Sequence, residues 1–218
     1  GEDYFSYYLP QWAGADPENG DPLWYTDETR TETTNSYSSA ERVLLGKSAL
    51  PKAFGSFGTT LTYKGLGLDA LFYYNFGNHI YQGFYSYQNS GGAYYGSYNQ
   101  SALELDRWQK PGDQTDVPRP VYGGNKNSFG ASDRLLKQGD FIRLRDITLS
   151  YALPSNWLES VKISTARVYL RGSNLWTWVK DDTLPFDPEA GSSDVAGGTQ
   201  GVTNFDVFIP KTFTFGIN

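Results

Sequence analysis

The stretch "FIRLRDITLSYALPSNW", Phe141 to Trp157, decides the fold. In its second half Ile147, Leu149, Tyr151 and Leu153 share one parity, while Thr148, Ser150 and Ala152 share the other. Successive side chains of a strand point to opposite faces, so this strand has an apolar face and a small, polar face. The two faces need different surroundings. In a soluble protein the apolar face meets a core; in an outer membrane it meets lipid and the polar face lines a lumen. Arg143 and Arg145 interrupt the pattern just before Asp146. Either a β-bulge or a polar rim would account for them.

The same alternation recurs on both sides. "FGSFGTTLTY" puts Phe57, Thr59, Leu61 and Tyr63 on one parity. Lys64-Gly65 makes a tight turn, and "LGLDALFYYNF" then lines up Leu66, Leu68, Ala70, Phe72, Tyr74 and Phe76. Runs of about ten residues joined this way predict a hairpin whose strands match the ~9–11 residues of a tilted membrane strand, beyond the usual ~5–6. "STARVYLRGSNLWTWV" (Ser164–Val179) sets Ala166, Val168 and Leu170 against Arg167, Tyr169 and Arg171, and "KTFTFGIN" alternates Phe213, Phe215 and Ile217 with Thr212, Thr214 and Gly216. Strands are therefore expected at 54–63, 66–77, 141–153, 164–179 and 211–218. If they are antiparallel neighbours, the turns at 64–65 and 154–163 share one rim and the loops at 78–140 and 180–209 share the other. Transmembrane barrels sort their connections by length in this way, and a soluble sandwich has no reason to. Residues 1–52 are turn-rich and read as an irregular loop region with room for one short hairpin. Within 78–140, "SALELDRWQK" (Ser101–Lys110) is the expected short helix.

Composition narrows the classes. Hydrophobic residues make up 39% and aromatic ones 17%, so the apolar content sits in rings rather than in Leu and Ile. Helical bundles rarely look like this; all-β proteins with aromatic girdles or stacking surfaces often do. A net charge of −6 leaves no basic stripe for nucleic-acid binding. With no Cys there are neither disulfides nor thiolate metal sites. Met is absent even at position 1, which reads as a processed product or a piece of a longer chain. No run reaches the ~20 apolar residues of a spanning helix, so a membrane role would require a barrel.

Catalytic motifs fare poorly. His79 is the sole histidine, which rules out a two-His metal motif, and "GNHIY" carries no nucleophile elbow. It reads as a strand-end or loop His. "ERVLLGKS" (Glu41–Ser48) ends like a phosphate loop, but Glu41 stands where the first Gly belongs and would repel phosphate. "DPENGD" (Asp16–Asp21) lacks the alternating oxygen ligands and terminal Glu of a calcium loop and reads as a turn. "DDTLPFDPE" gathers Asp181, Asp182, Asp187 and Glu189, which could bind a cation or act as a glycosidase pair; a solvated acidic loop is the ordinary reading. No metal, no cofactor and no enzymatic activity are expected.

Four segments and the final strand carry a family resemblance. "WAGADPENGDPLWY" (Trp12–Tyr25), "GKSALPKAFGSFGTTLTYKGLGLDALFYYNFGNHIY" (Gly46–Tyr81), "FIRLRDITLSYALPSNWL" and "RVYLRGSNLWTWVKDDTLPFDPE" (Arg167–Glu189), followed by "PKTFTFGIN", resemble in the same order the C-terminal part of SusC-like, RagA-type TonB-dependent transporters of the Bacteroidetes outer membrane. "TLPFDPE" departs from that family's more usual "GLDPE". The resemblance implies about five long antiparallel strands of a barrel of roughly twenty-two, shortened at both ends. On this reading residues 1–52 form an extracellular loop region, and 53–218 hold the barrel strands with long loops at 78–140 and 180–209. It further implies import of large nutrients, oligosaccharides or peptides, with a SusD-like surface lipoprotein as lid. TonB would act through an N-terminal part that maps to no residue here.

The apolar and aromatic residues divide accordingly. Leu61, Leu68, Phe72, Ile147, Leu149, Tyr151, Phe213 and Phe215 are expected to face lipid; in a soluble fold they would be core. Trp12, Trp24, Tyr25, Tyr94, Tyr95 and Tyr98 are candidates for contact with substrate or lid, with internal loop packing as the alternative. Two other readings stand beside the transporter: a soluble β-sandwich carbohydrate-binding module, and a secreted hydrolase built on Asp187 and its neighbours.

Overall fold

The computed structural model describes residues 1, 3–159, 162–189, 200–204 and 206–218. In chain order the strands are β1 (Ser6–Pro10), β2 (Trp12–Ala15), β3 (Pro22–Tyr25), β4 (Thr33–Thr34), β5 (Arg42–Ser48), β6 (Ala53–Tyr63), β7 (Leu66–Phe76), β8 (His79–Gln82), β9 (Leu136–Gln138), β10 (Phe141–Ala152), β11 (Arg167–Val179), β12 (Val202–Thr203) and β13 (Thr212–Ile217). The chain divides into two units, one built on the long strands and one on the connections between them.

The strand unit comprises Pro51–Asn78, Gln138–Glu189 and Val207–Asn218. Its sheet runs β6-β7-β10-β11-β13, every neighbour antiparallel and in chain order. The alternating runs account for this directly, because each buries its polar groups in ladders with the next run along the chain. Lys64 and Gly65 join β6 to β7 with φ of 47° and 86°, the pair of positive values that a type I′ hairpin turn requires. Glycine adopts this conformation freely, whereas lysine does so at a cost.

A bulge resolves the interruption at Arg143 and Arg145. β10 pairs with β7 at Leu144↔Phe72 and resumes at Asp146↔Leu71, leaving Arg145 as the extra residue. On the other side Leu144 meets Trp176 and Asp146 meets Ser173, with Asn174 in a left-handed conformation between them. One inserted residue inverts the parity of everything after it. Ile142 and Leu144 before the bulge therefore share a face with Ile147, Leu149 and Tyr151 after it.

The loop unit comprises Gly1–Leu50, His79–Lys137 and the described part of 190–206. It is more ordered than the turn-rich sequence suggested. β2, β3 and β4 form an antiparallel sheet, β1 pairs with β5, and β12 runs parallel to β8. "DPENGD" closes the β2–β3 hairpin: the Gly20 amide donates to the Asp16 carbonyl at 2.8 Å, and the Asn19 side-chain amide donates to Asp16 Oδ2 at 2.7 Å. "ERVLLGKS" lies in strand β5, which gives it no phosphate cradle. The helix expected at 101–110 is instead a 3-10 turn, Ala102–Asp106, capped by Ser101. Leu103 and Leu105 are both exposed while Glu104 between them is buried, so no helical stripe exists to propagate it. The α-helical turns α1 (Tyr85–Gln88) and α2 (Ser155–Leu158) are four residues each.

Candidate membrane-facing surface and loop aromatics

Cross-strand register carries each row of side chains over the whole sheet. Leu61, Leu68, Leu149, Leu170 and Phe215 stand directly opposite one another, an apolar row five strands wide. The row beside it is Tyr63, Leu66, Tyr151, Val168 and Ile217; the row on its other side is Thr59, Ala70, Ile147, Gly172 and Phe213. Beyond the bulge the same face continues with Phe57, Phe72, Leu144 and Trp176, then Tyr74, Ile142 and Trp178. Phe57 and Phe72 stack with centroids 5.1 Å apart. All eight residues expected to face lipid lie on this one face. Among the described residues no second sheet of the strand unit covers it: Leu61, Leu149 and Phe215 are 58%, 53% and 70% exposed.

The opposite face is polar. Thr60, Asp69, Thr148, Arg171 and Thr214 form one row; Thr62, Gly67, Ser150, Tyr169 and Gly216 form the next. Thr60 donates to Asp69 at 2.7 Å, and Arg171 Nε and Ser173 Oγ each donate to Asp146 Oδ1 at 2.7 Å. Towards the long loops this face carries Arg143, paired across β10 with Tyr73 and Thr177.

The acidic segment after β11 is solvated only at its start, where Asp182 is exposed. Asp187 is buried, and its Oδ1 accepts from Arg143 Nη2 at 2.7 Å. Glu189 accepts from Arg143 Nη1 at 2.5 Å and also pairs with Arg145. Two guanidinium groups held at 143 and 145 by the bulge offset the cost of burying these carboxylates. Asp181 instead caps its own turn, accepting from the Thr183 amide and hydroxyl. Sequence reading missed this pairing because its partners are over 40 residues apart; two Arg breaking an apolar strand were the one local sign.

Trp24, expected as a contact residue, is wholly buried and serves the loop unit as core. It sits edge-on to Trp12 and to Tyr37, each at 5.4 Å. Trp12 is half-buried beneath the Arg134 guanidinium, 4.7 Å from its ring, and its backbone amide donates to Asp133 at 2.7 Å. Tyr25 is half-buried with Arg30 over its ring. Tyr94 and Tyr98 cluster with Tyr87 and leave different amounts of ring outside: Tyr98, like Tyr95, is exposed, and Tyr94 is half-buried. Sequence reading also missed Glu104, whose carboxyl is held above the ordinary range by burial, with Arg134 and Arg107 acting in the opposite direction. Among the described residues no group of three or more His, Asp or Glu could hold a metal ion.

No family model matches the chain. Among curated proteins, TonB-dependent receptor P26 of Formosa agariphila is 29% identical over 206 residues, 92% of this chain and 19% of the receptor. TonB-dependent receptor P3 of the same organism is 27% identical over 83% of the chain. Among solved structures, that of the RagAB peptide transporter superposes with a TM-score of 0.80 at 31% identity, covering 97% of this chain and 22% of that one. The RagAB peptide importer in its closed-closed state gives 0.78 at 32%. The chain thus spans about a fifth of the length of the relatives it matches. It is homologous to SusC/RagA-like TonB-dependent receptors over almost its whole length, and its sheet is a segment of their antiparallel barrel wall. These are outer-membrane proteins, and the outer membrane is where this segment resides.

Proposed function

We propose that this chain supplies part of the wall and extracellular loops of a TonB-dependent transporter that imports large nutrients, peptides or oligosaccharides, across the outer membrane. The single observation that carries the reading is the apolar face of the sheet, two of whose rows run unbroken across five strands, with polar rows on the reverse. Water on the apolar face would leave a patch far larger than soluble monomers expose. Hydrocarbon accepts it at no cost, and the polar face then lines the lumen. From Leu66 to Phe76, β7 rises about 33 Å at ~3.3 Å per residue, which a tilt of ~40° reduces to the ~25 Å of an outer-membrane apolar band.

The two RagAB structures are of a peptide transporter, in one case described as an importer. By that likeness a SusD-like lipoprotein closes over the loop unit, TonB acts through the remainder of the transporter, and Trp12, Tyr25, Tyr94, Tyr95 and Tyr98 are the aromatic surface that cargo or lid would meet. The relatives found are receptors and transporters, which favours transport over the hydrolase. The uncovered apolar rows disfavour the soluble sandwich module.

The test is spin labelling in the whole transporter. Labels at Leu149 and Phe215 should be relaxed by lipid-soluble oxygen and spared by an aqueous nickel chelate. Labels at Thr148 and Thr214 should behave in reverse. Equal aqueous access on both faces would rule out the barrel wall.

A further inference from the structure

The acidic segment after β11 does more than neutralise two arginines. Asp187 Oδ2 accepts from the Ile209 amide at 3.1 Å, and its Oδ1 accepts from both Arg143 and the Glu189 amide. One carboxylate therefore joins the outgoing leg of the connection, its returning leg and the wall strand β10. The outgoing leg has a second anchor: the Lys180 amide donates to the Asp140 carbonyl at 3.0 Å, while Asp140 Oδ1 accepts from the Gly77 amide at 2.6 Å. Phe186 and Pro188, either side of Asp187, are buried with it. The contacts fall on the polar face, at the end of the sheet where the long connections leave.

We infer that Asp187 and Glu189, clamped by Arg143 and Arg145, form an electrostatic latch that holds the strap of residues 180–189, and with it the returning leg at Ile209, down on the polar wall of the sheet. The bulge at Arg145 is part of the device. In a regular strand Arg143 and Arg145 would share a face with Ile147, Leu149 and Tyr151; the extra residue lets two cations point to the polar side without dragging the apolar rows after them. Arg143 and Asp187 both being buried, removal of either strands the other in a dry site and favours release of the strap. Placing the latch inside the lumen rests on the barrel-wall reading above; the latch itself rests only on these contacts.

The experiment is distance measurement between spin labels at Asp182, in the strap, and Thr60, on the polar wall, in the whole transporter. A second pair at Leu61 and Phe215 reports on the sheet alone. The unmodified latch should give one narrow strap distance. Arg143→Met and Asp187→Asn should lose it in favour of longer, broader distances, Arg143→Lys should keep most of it, and the Leu61–Phe215 distance should hold in all. Glu189→Gln, which leaves the Asp187 contact intact, gives a milder loss and serves if Arg143→Met does not assemble. A strap distance unchanged in Asp187→Asn and Glu189→Gln would overturn the latch. So would loss of the strap and sheet distances together, since that marks a folding role. Water-exposed Leu61 and Phe215 labels would defeat the barrel reading separately.

Discussion

At the scale of single residues, adjacent positions on one strand should respond oppositely to the same change. Leu149 sits mid-row on the apolar face, and Leu149→Arg should cost about 2–4 kcal/mol of folding into vesicles, the penalty for a cation near the bilayer midplane. Thr148→Arg, one residue earlier and facing Asp69 across β7, should cost less than about 1 kcal/mol. Urea titration of folding into lipid vesicles measures both. Trp24→Ala should cost the loop unit about 3–5 kcal/mol, since Trp12 and Tyr37 close on a ring that leaves no solvent path. Glu104 gives a pH-dependent case. Its folded-state value is raised, so the unfolded chain gives up its proton first and stability falls as pH climbs from the ordinary carboxylate range through the raised value. Glu104→Gln should remove that fall: no effect well below the ordinary range, a gain in protection at neutral pH. Hydrogen exchange of the 101–108 amides, followed against pH, checks the sign.

At the scale of elements, the bulge is the point on which β10 turns. Deleting Arg145 would join Leu144 directly to Asp146 in a regular strand, leaving Ile147, Leu149 and Tyr151 on the apolar face but removing the cation that pairs with Glu189. The shortened transporter should still assemble and keep the compact, heat-modifiable band on a cold gel, whereas one alanine inserted after Asp146 would throw Ile147, Leu149 and Tyr151 to the polar side and should lose that band. The β6–β7 turn should respond favourably to repair. Lys64 occupies a left-handed position that Asn tolerates better, so Lys64→Asn should gain about 1 kcal/mol in the same urea titration. The elements legible in the sequence were those with local causes. Alternation placed the five long strands to within three residues at either end, because each strand's two faces are written in its own residues. The connections were not legible. Their order comes from contacts such as the Tyr7 hydroxyl donating to the Gly201 carbonyl at 2.8 Å, 194 residues away, and from a tryptophan hidden by partners on other segments.

At the scale of the molecule, the sheet has two bare edges, β6 and β13, among the described residues. In hydrocarbon an unpaired edge costs several kcal/mol per orphaned backbone group, so these edges call for further strands. Produced without them, this chain should precipitate in detergent-free buffer and show slow hydrogen exchange in β10 but not in β6 or β13. Solubility as a cooperative monomer would count against the whole account. Aromatic residues also gather near both ends of the apolar face: Tyr63 and Tyr151 near the short turns, Trp176, Trp178 and Tyr74 near the long loops. Rings with polar edges suit the two membrane boundaries.

The sequence by itself determined the strands, their order, the sorting of short and long connections and the residues of the apolar face, because a period of two is a local property that needs no distant partner. Only the tertiary structure decided that Trp24 is core, that Arg145 is the bulged residue and that Asp187 is buried against Arg143. Those outcomes depend on which distant groups arrive at the same place, and burial and ion pairing have no period along a chain.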